Sequence, residues 1–105
     1  MSDTASKYLR MLDQNPKNDL ARFSLGKVLY DAGDFDAAKK HFGIALQSKP
    51  DWMLAQILIG KCELSLGNRD AARRAFEEGR RLAEEQHHDG PREEMEHLLA
   101  ELKEG

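Results

Sequence analysis

Several side chains in this 105-residue chain are of types that do chemistry, and each group is weighed by its spacing. His87, His88 and Asp89 stand in a row with His97 ten positions beyond His88's neighbour His87, a composition that suits a metal. Adjacent helical residues point about 100° apart, however, and zinc needs converging ligands with a supporting shell. The run reads as a helix end, where polar and cationic side chains favour the dipole, and no metal or other cofactor is expected. Cys62 is the single cysteine, so neither an internal disulfide nor a zinc-binding Cys pair is available, and a reducing compartment is the default. Neither it nor His41 has a companion at ligand spacing. Arg73, Arg74, Arg80 and Arg81 resemble a nucleic-acid patch until Glu77, Glu78, Glu84 and Glu85 are set beside them. The pairs Arg73–Glu77, Arg74–Glu78, Glu77–Arg81, Arg80–Glu84 and Arg81–Glu85 cancel the field on a solvated helix face. There is no Gly-rich phosphate loop, no nucleophile beside a histidine and an acid at known spacing, and no carboxylate pair in an apolar setting. The chain is read as a non-enzyme.

These residues are carried by helices. Ala and Leu supply 26 residues, whereas the β-branched residues are Val28, Ile44, Ile57, Ile59 and Thr4. Apolar positions recur with helical period, as in Leu25, Val28, Leu29 and again in Ala38, Phe42, Ala45, Leu46. Breaks fall at Asn15-Pro16, Gly33-Asp34, Pro50-Asp51, Gly67-Asn68 and Asp89-Gly90-Pro91. Gly33 and Gly67 suit the left-handed residue that ends a helix, with Asp34 and Asn68 as the following N-caps. The spacing predicts six helices over 3–12, 18–31, 35–48, 52–65, 69–86 and 91–103. A net charge of −3, with 33% charged and 40% hydrophobic residues, describes one folded domain without a field for nucleic acid or anionic lipid. The opening Met1-Ser2-Asp3-Thr4 lacks a basic and an apolar leader region, and no run reaches membrane-spanning length. A soluble cytoplasmic protein is expected.

Sliding residues 19–52 onto 53–86 matches nine positions without a gap: Leu20/Leu54, Ala21/Ala55, Gly26/Gly60, Lys27/Lys61, Gly33/Gly67, Asp36/Asp70, Ala37/Ala71, Ala38/Ala72 and Phe42/Phe76. About two are expected by chance from average composition, so the chain contains a helix–turn–helix repeat of 34 residues. Glycine in mid-helix costs about 1 kcal/mol relative to alanine, and two at one register predict a close approach by another backbone. Ala38 and Ala72 suit such a crossing, with Phe42 and Phe76 filling the space one turn on.

Leu25-Gly26, Gly33-Asp34, Ala38, Phe42, Ala45 and Pro50, then Ile59-Gly60, Gly67-Asn68, Ala72, Phe76 and Gly79, resemble the signature of the tetratricopeptide repeat family. Glu84 replaces the family's helix-ending proline, so the fifth helix is expected to run on to about Gln86. Arg22 and Gln56 stand where a large aromatic is usual, with Phe23 and Ile57 one place on. Tyr8-Leu9-Arg10-Met11-Leu12 followed by Asn15-Pro16 looks like the second helix of a preceding repeat. The resemblance implies an all-α, right-handed solenoid of six helices in a single domain: a half repeat over 1–18, repeats over 19–52 and 53–86, and a capping helix over 87–105. The cap shows Pro91 in its first turn and the stripe Met95, Leu98, Leu99, Leu102.

The resemblance further implies a concave groove that holds a segment of another protein. Its lining would be Leu20, Phe23, Lys27, Tyr30 and Asp31 from the first repeat, and Leu54, Ile57, Lys61, Leu64 and Ser65 from the second. Lys27 and Lys61 would stand over apolar ground made by Phe23, Ile57 and Leu64, suiting a segment with apolar anchors and a carboxylate. The clamp by which one subclass holds Glu-Glu-Val-Asp tails is missing, since Phe23 and Ile57 occupy its places. Trp52 either rims the groove or packs over the turn between repeats. The alternative function is self-association, a weak homodimer through Tyr8, Leu9, Met11 and Leu12 of the truncated repeat.

Overall fold

The computed structural model describes residues 3–104, the side chain of Glu104 excepted. Six helices follow one another: α1 (Asp3–Gln14), α2 (Asp19–Asp31), α3 (Phe35–Ser48), α4 (Met53–Ser65), α5 (Arg69–Glu85) and α6 (Asp89–Glu104). No strand occurs among the described residues. Each helix packs chiefly on the next in sequence, and the chain extends over 43 × 28 × 20 Å. The radius of gyration is 14.0 Å, against about 13 Å for a compact domain of this length. The fold is an all-α helical repeat.

The turns explain the spacing of the elements. Gly33 and Gly67 have φ of 83° and 82°, which glycine adopts at no steric cost. Gly33 N–H donates to Tyr30 O and Asp34 N–H to Leu29 O, while Gly67 N–H donates to Leu64 O and Asn68 N–H to Glu63 O. Both are the paired 5→2 and 6→1 bonds of a Schellman cap. The chain ends α5 in the same way, with His87 N–H to Glu84 O and His88 N–H to Ala83 O, but the left-handed residue is His87 at φ 60°. With that turn made before Gly90, α6 begins at Asp89, two residues ahead of the expected start at Pro91. Asp34 caps α3 as expected, accepting from Ala37 N–H. Asn68 does not cap α5 with its side chain; its Nδ2 donates instead to Glu63 Oε1 at 3.1 Å.

The core is three clusters in series. Ala5, Leu12, Ala21 and Leu25 join α1 to α2; Ala38, Phe42, Ala55, Leu58 and Cys62 join α3 to α4. Met53, Ile57, Ala72, Phe76, Leu82, Ala83 and Met95 join α4, α5 and α6. Phe42 and Phe76 are fully buried, and their rings explain Gly26 and Gly60. A Cβ on Gly26 would lie 2.7 Å from the Phe42 ring, and one on Gly60 2.5 Å from the Phe76 ring. The approach predicted from the mid-helix glycines is therefore made by an aromatic ring and not by a backbone. The aromatic of the second helix needs the notch because the Cδ1–Cε1–Cζ edge of its ring comes to where a Cβ on the first would stand.

Polar residues at the places usually aromatic act in parallel. Arg22 donates to His41 Nδ1 at 3.2 Å and to Pro16 O at 3.1 Å. Gln56, its repeat equivalent, donates to Ala75 O at 3.4 Å, and Ala75 is the equivalent of His41. Between α3 and α4, Lys39 Nζ lies 3.0 Å from Glu63 Oε1. Burial pushes the Glu63 carboxyl up, but the bonds from Asn68 and Lys39 outweigh it and hold the group below its ordinary range.

Candidate functional site

The residues expected to line a groove stand on α2 and α4. Leu20 and Leu54 are 69% and 50% exposed, so two leucines at one repeat position face solvent. Lys27, seven residues after Leu20, bonds Asp31 at 2.8 Å and lies 5.5 Å from the centroid of Tyr30. Tyr30 in turn meets Phe35 edge-on at 5.6 Å. Lys61, the equivalent of Lys27, bonds Glu94 of α6 at 3.1 Å, and Ser65 is exposed. Both lysines thus carry an exposed carboxylate partner. Such pairs contribute between roughly zero and 1 kcal/mol, so an incoming carboxylate can replace either acid at small cost.

The apolar ground beneath them differs from expectation. Ile57 is 4% exposed, lies in the α4–α5–α6 cluster and sits against Gly79, so it offers a partner no surface. Leu64 is half-buried against the same cluster, which also contacts Leu98 and Leu102 of α6. Phe23 is half-buried between Phe42 at 5.5 Å and Trp52, whose ring stacks on it at 4.7 Å and 18°. Trp52 therefore packs over the turn between repeats. The accessible positions are Leu20, Lys27 and Asp31 on α2 with Leu54, Lys61 and Ser65 on α4, three turns of one face on each helix.

Glu94 is the contributor that the repeat comparison missed, since α6 has no match in the 34-residue alignment. The available signal was its place in a stripe of acids on the last helix. Cys62 is fully buried, and burial pushes its thiol up to about 11, which leaves it a small hydrophobe at neutral pH. His97 pairs with Glu101 at 2.9 Å, and among the described residues no group of three His, Cys, Asp or Glu is placed to hold a metal ion. On α5, Arg73–Glu77 and Arg81–Glu85 form at 3.8 and 2.7 Å, and Arg81 also takes Glu78 three residues back. The other three expected pairs are not made among the described residues: Arg81 is taken by Glu78 and Glu85, which leaves Arg74 without Glu78 and Glu77 without Arg81, and Arg80 makes no ion pair. No helix among the described residues is long and apolar enough to cross a membrane.

Paired helices repeating every 34 residues, with a Gly–Phe notch in each pair, define a helical-repeat protein of the kind built for protein–protein contact. The tetratricopeptide repeat model matches residues 3–38 and 23–87, and the chain belongs to that family. A TPR repeat-containing protein of Pseudomonas aeruginosa, PA0015, is 36% identical over 70 residues, 67% of either chain. The solution structure of BPP2914 from Bordetella parapertussis superposes with a TM-score of 0.86 at 32% identity, covering 99% of this chain and 90% of that one. PcrH, solved in complex with the chaperone binding region of PopD, gives a TM-score of 0.88 at 17% identity over 94% of this chain and 75% of its own.

Proposed function

We propose that the protein is a non-catalytic cytoplasmic interaction module that holds a segment of another protein across α2 and α4. In this reading residues 1–18 form a half repeat, 19–52 and 53–86 two repeats, and 87–105 a closing helix. Leu20 and Leu54 take apolar anchors, while Lys27 and Lys61 take a carboxylate released from competition with Asp31 and Glu94. Phe23, Tyr30, Ile57 and Leu64 act from beneath, setting the shape of the face. The observation that carries the reading is the exposure of Leu20 and Leu54, 69% and 50%, at one position of the repeat. Burial of two such leucines is worth a few kcal/mol in contact with a partner. The PcrH complex supports it by analogy of fold, since a protein of the same architecture takes a segment of PopD.

The test is affinity capture from a lysate of the source cells with the wild type and a Leu20→Asp/Leu54→Asp variant, folding checked by circular dichroism. Both leucines are exposed, so the variant is expected to melt with the wild type and to lose the partner. Retention by the folded variant removes the groove reading. Recovery of the protein itself alone favours self-association instead, for which the half-exposed Tyr8, Leu9 and Met11 of α1 offer a surface.

A further inference from the structure

The helices alternate, so that α3 packs between α2 and α4, and α5 between α4 and α6. The last helix, α6, packs on α5 and has no helix on its far flank among the described residues. Along the seam of α5 and α6 runs an open cleft of about 380 Å³, lined by Arg73, Glu77, Arg80, Leu99 and Lys103. Leu99 is half-buried against the core cluster and is the one apolar residue of the lining. The walls hold three cations and one anion; Glu77 is engaged with Arg73, while Arg80 and Lys103 make no ion pair among the described residues. One repeat earlier, the place of Arg80 is taken by Leu46, which packs into the α3–α4 cluster. The internal seam is thus closed by apolar contact, and the terminal seam asks for carboxylates around a single apolar contact.

We propose that this seam docks an acidic amphipathic helix of a partner protein, laid where the alternation would place a seventh helix. Arg73 and Arg80 are seven residues apart on one face of α5, about 10.5 Å at 1.5 Å per residue. A guest helix with acids two turns apart and a leucine between them matches the Arg73–Arg80 spacing with its acids and Leu99 with its leucine, with Lys103 as the third cation of the lining. The α1 surface of a second copy fits less well, because its exposed charges Asp3, Lys7, Arg10 and Asp13 sum to zero and offer the cations of the seam no net complement. A nucleic-acid strand is disfavoured by Asp70 and Glu77, which interrupt the positive row. This surface lies apart from the α2–α4 face and does not depend on it.

A synthetic helical peptide with glutamates two turns apart flanking a leucine, and its lysine counterpart, serve as probes against isotope-labelled full-length protein. The acidic peptide is expected to shift the amide signals of Arg80, Leu99 and Lys103 and to bind more weakly as salt rises. The lysine peptide leaves those signals unmoved. Arg80→Glu/Lys103→Glu is expected to lose roughly tenfold or more in affinity for the acidic peptide, while the charge-matched Lys7→Glu/Arg10→Glu on α1 binds it as the wild type does. If the charge-reversed variant melts early, Arg80→Gln/Lys103→Gln is read in its place, with the same direction of change. Shifts mapping to α2 and α4, equal binding of both peptides, no binding at the highest soluble concentration, or preference for a single-stranded oligonucleotide would each overturn the proposal.

Discussion

Single side chains set the shape of each repeat, and the Gly–Phe notch shows how strongly. An alanine at position 60 would place its methyl 2.5 Å from a ring that is itself fully buried. Overpacking of that kind costs about 1–3 kcal/mol, against which the better helix propensity of alanine returns up to about 1. Gly60→Ala is therefore expected to lower the urea midpoint, whereas Gly43→Ala, with open space around it, should hold or raise it. His41 gives a second expectation. Arginine only donates, so the bond from Arg22 requires an unprotonated Nδ1. Burial, with Arg22 and Lys40 nearby, holds the imidazole below its ordinary 6.5. A pKa depressed by folding contributes stability that is full above 6.5 and lost as pH falls through the lower folded value. Urea midpoints at mildly acid and mildly alkaline pH should differ in that sense, and the part of the difference owed to this residue should vanish in His41→Gln.

At the scale of the element, the ends of the helices matter more than their middles. Two helices end on glycine and α5 ends on His87 in the same left-handed conformation, which costs a non-glycine residue roughly 1 kcal/mol or more. His87→Gly is expected to raise the melting temperature by a few degrees, the side chain being exposed and making no other contact that needs it. An unchanged or lower melting temperature would show the strain relieved elsewhere. The helices, the repeat and the burial of Phe42 and Phe76 were legible from spacing, because one 34-residue offset aligned residues whose only shared duty is packing. The start of α6 was not, since the glycine signal at Gly90 pointed past the turn that His87 makes. The family resemblance assigns Ile57 to the lining together with its repeat equivalent Phe23. The second repeat differs: α6 lies over that part of α4, and Ile57 closes against Gly79 and Met95 where Phe23 meets Trp52. Which residues of a repeat reach solvent depends on the neighbour, and the closing helix has no copy to be aligned with. The Lys61–Glu94 pair was hidden for the same reason.

The whole molecule is a row of three clusters and not one centre, so its stability is local and passed between neighbours. Leu98→Asp/Leu99→Asp removes apolar contacts from the cluster closed by α6 only. Amide exchange is expected to quicken in α6 and the last turns of α5 while the protection of α2 and α3 stays as in the wild type. A uniform quickening along the chain would mean that the row unfolds as one unit. Charge is divided along the row too: residues 89–104 carry two basic and six acidic side chains, a net −4, and residues 1–88 carry fourteen against thirteen, a net +1. The stacked pair of Phe23 and Trp52 bridges α2 and the entry to α4, and no other tryptophan exists in the chain. That pair makes the protein its own optical strain gauge: indole emission follows one joint of the row, while far-ultraviolet ellipticity averages over all six helices. The two signals part company whenever a terminus loosens ahead of the middle.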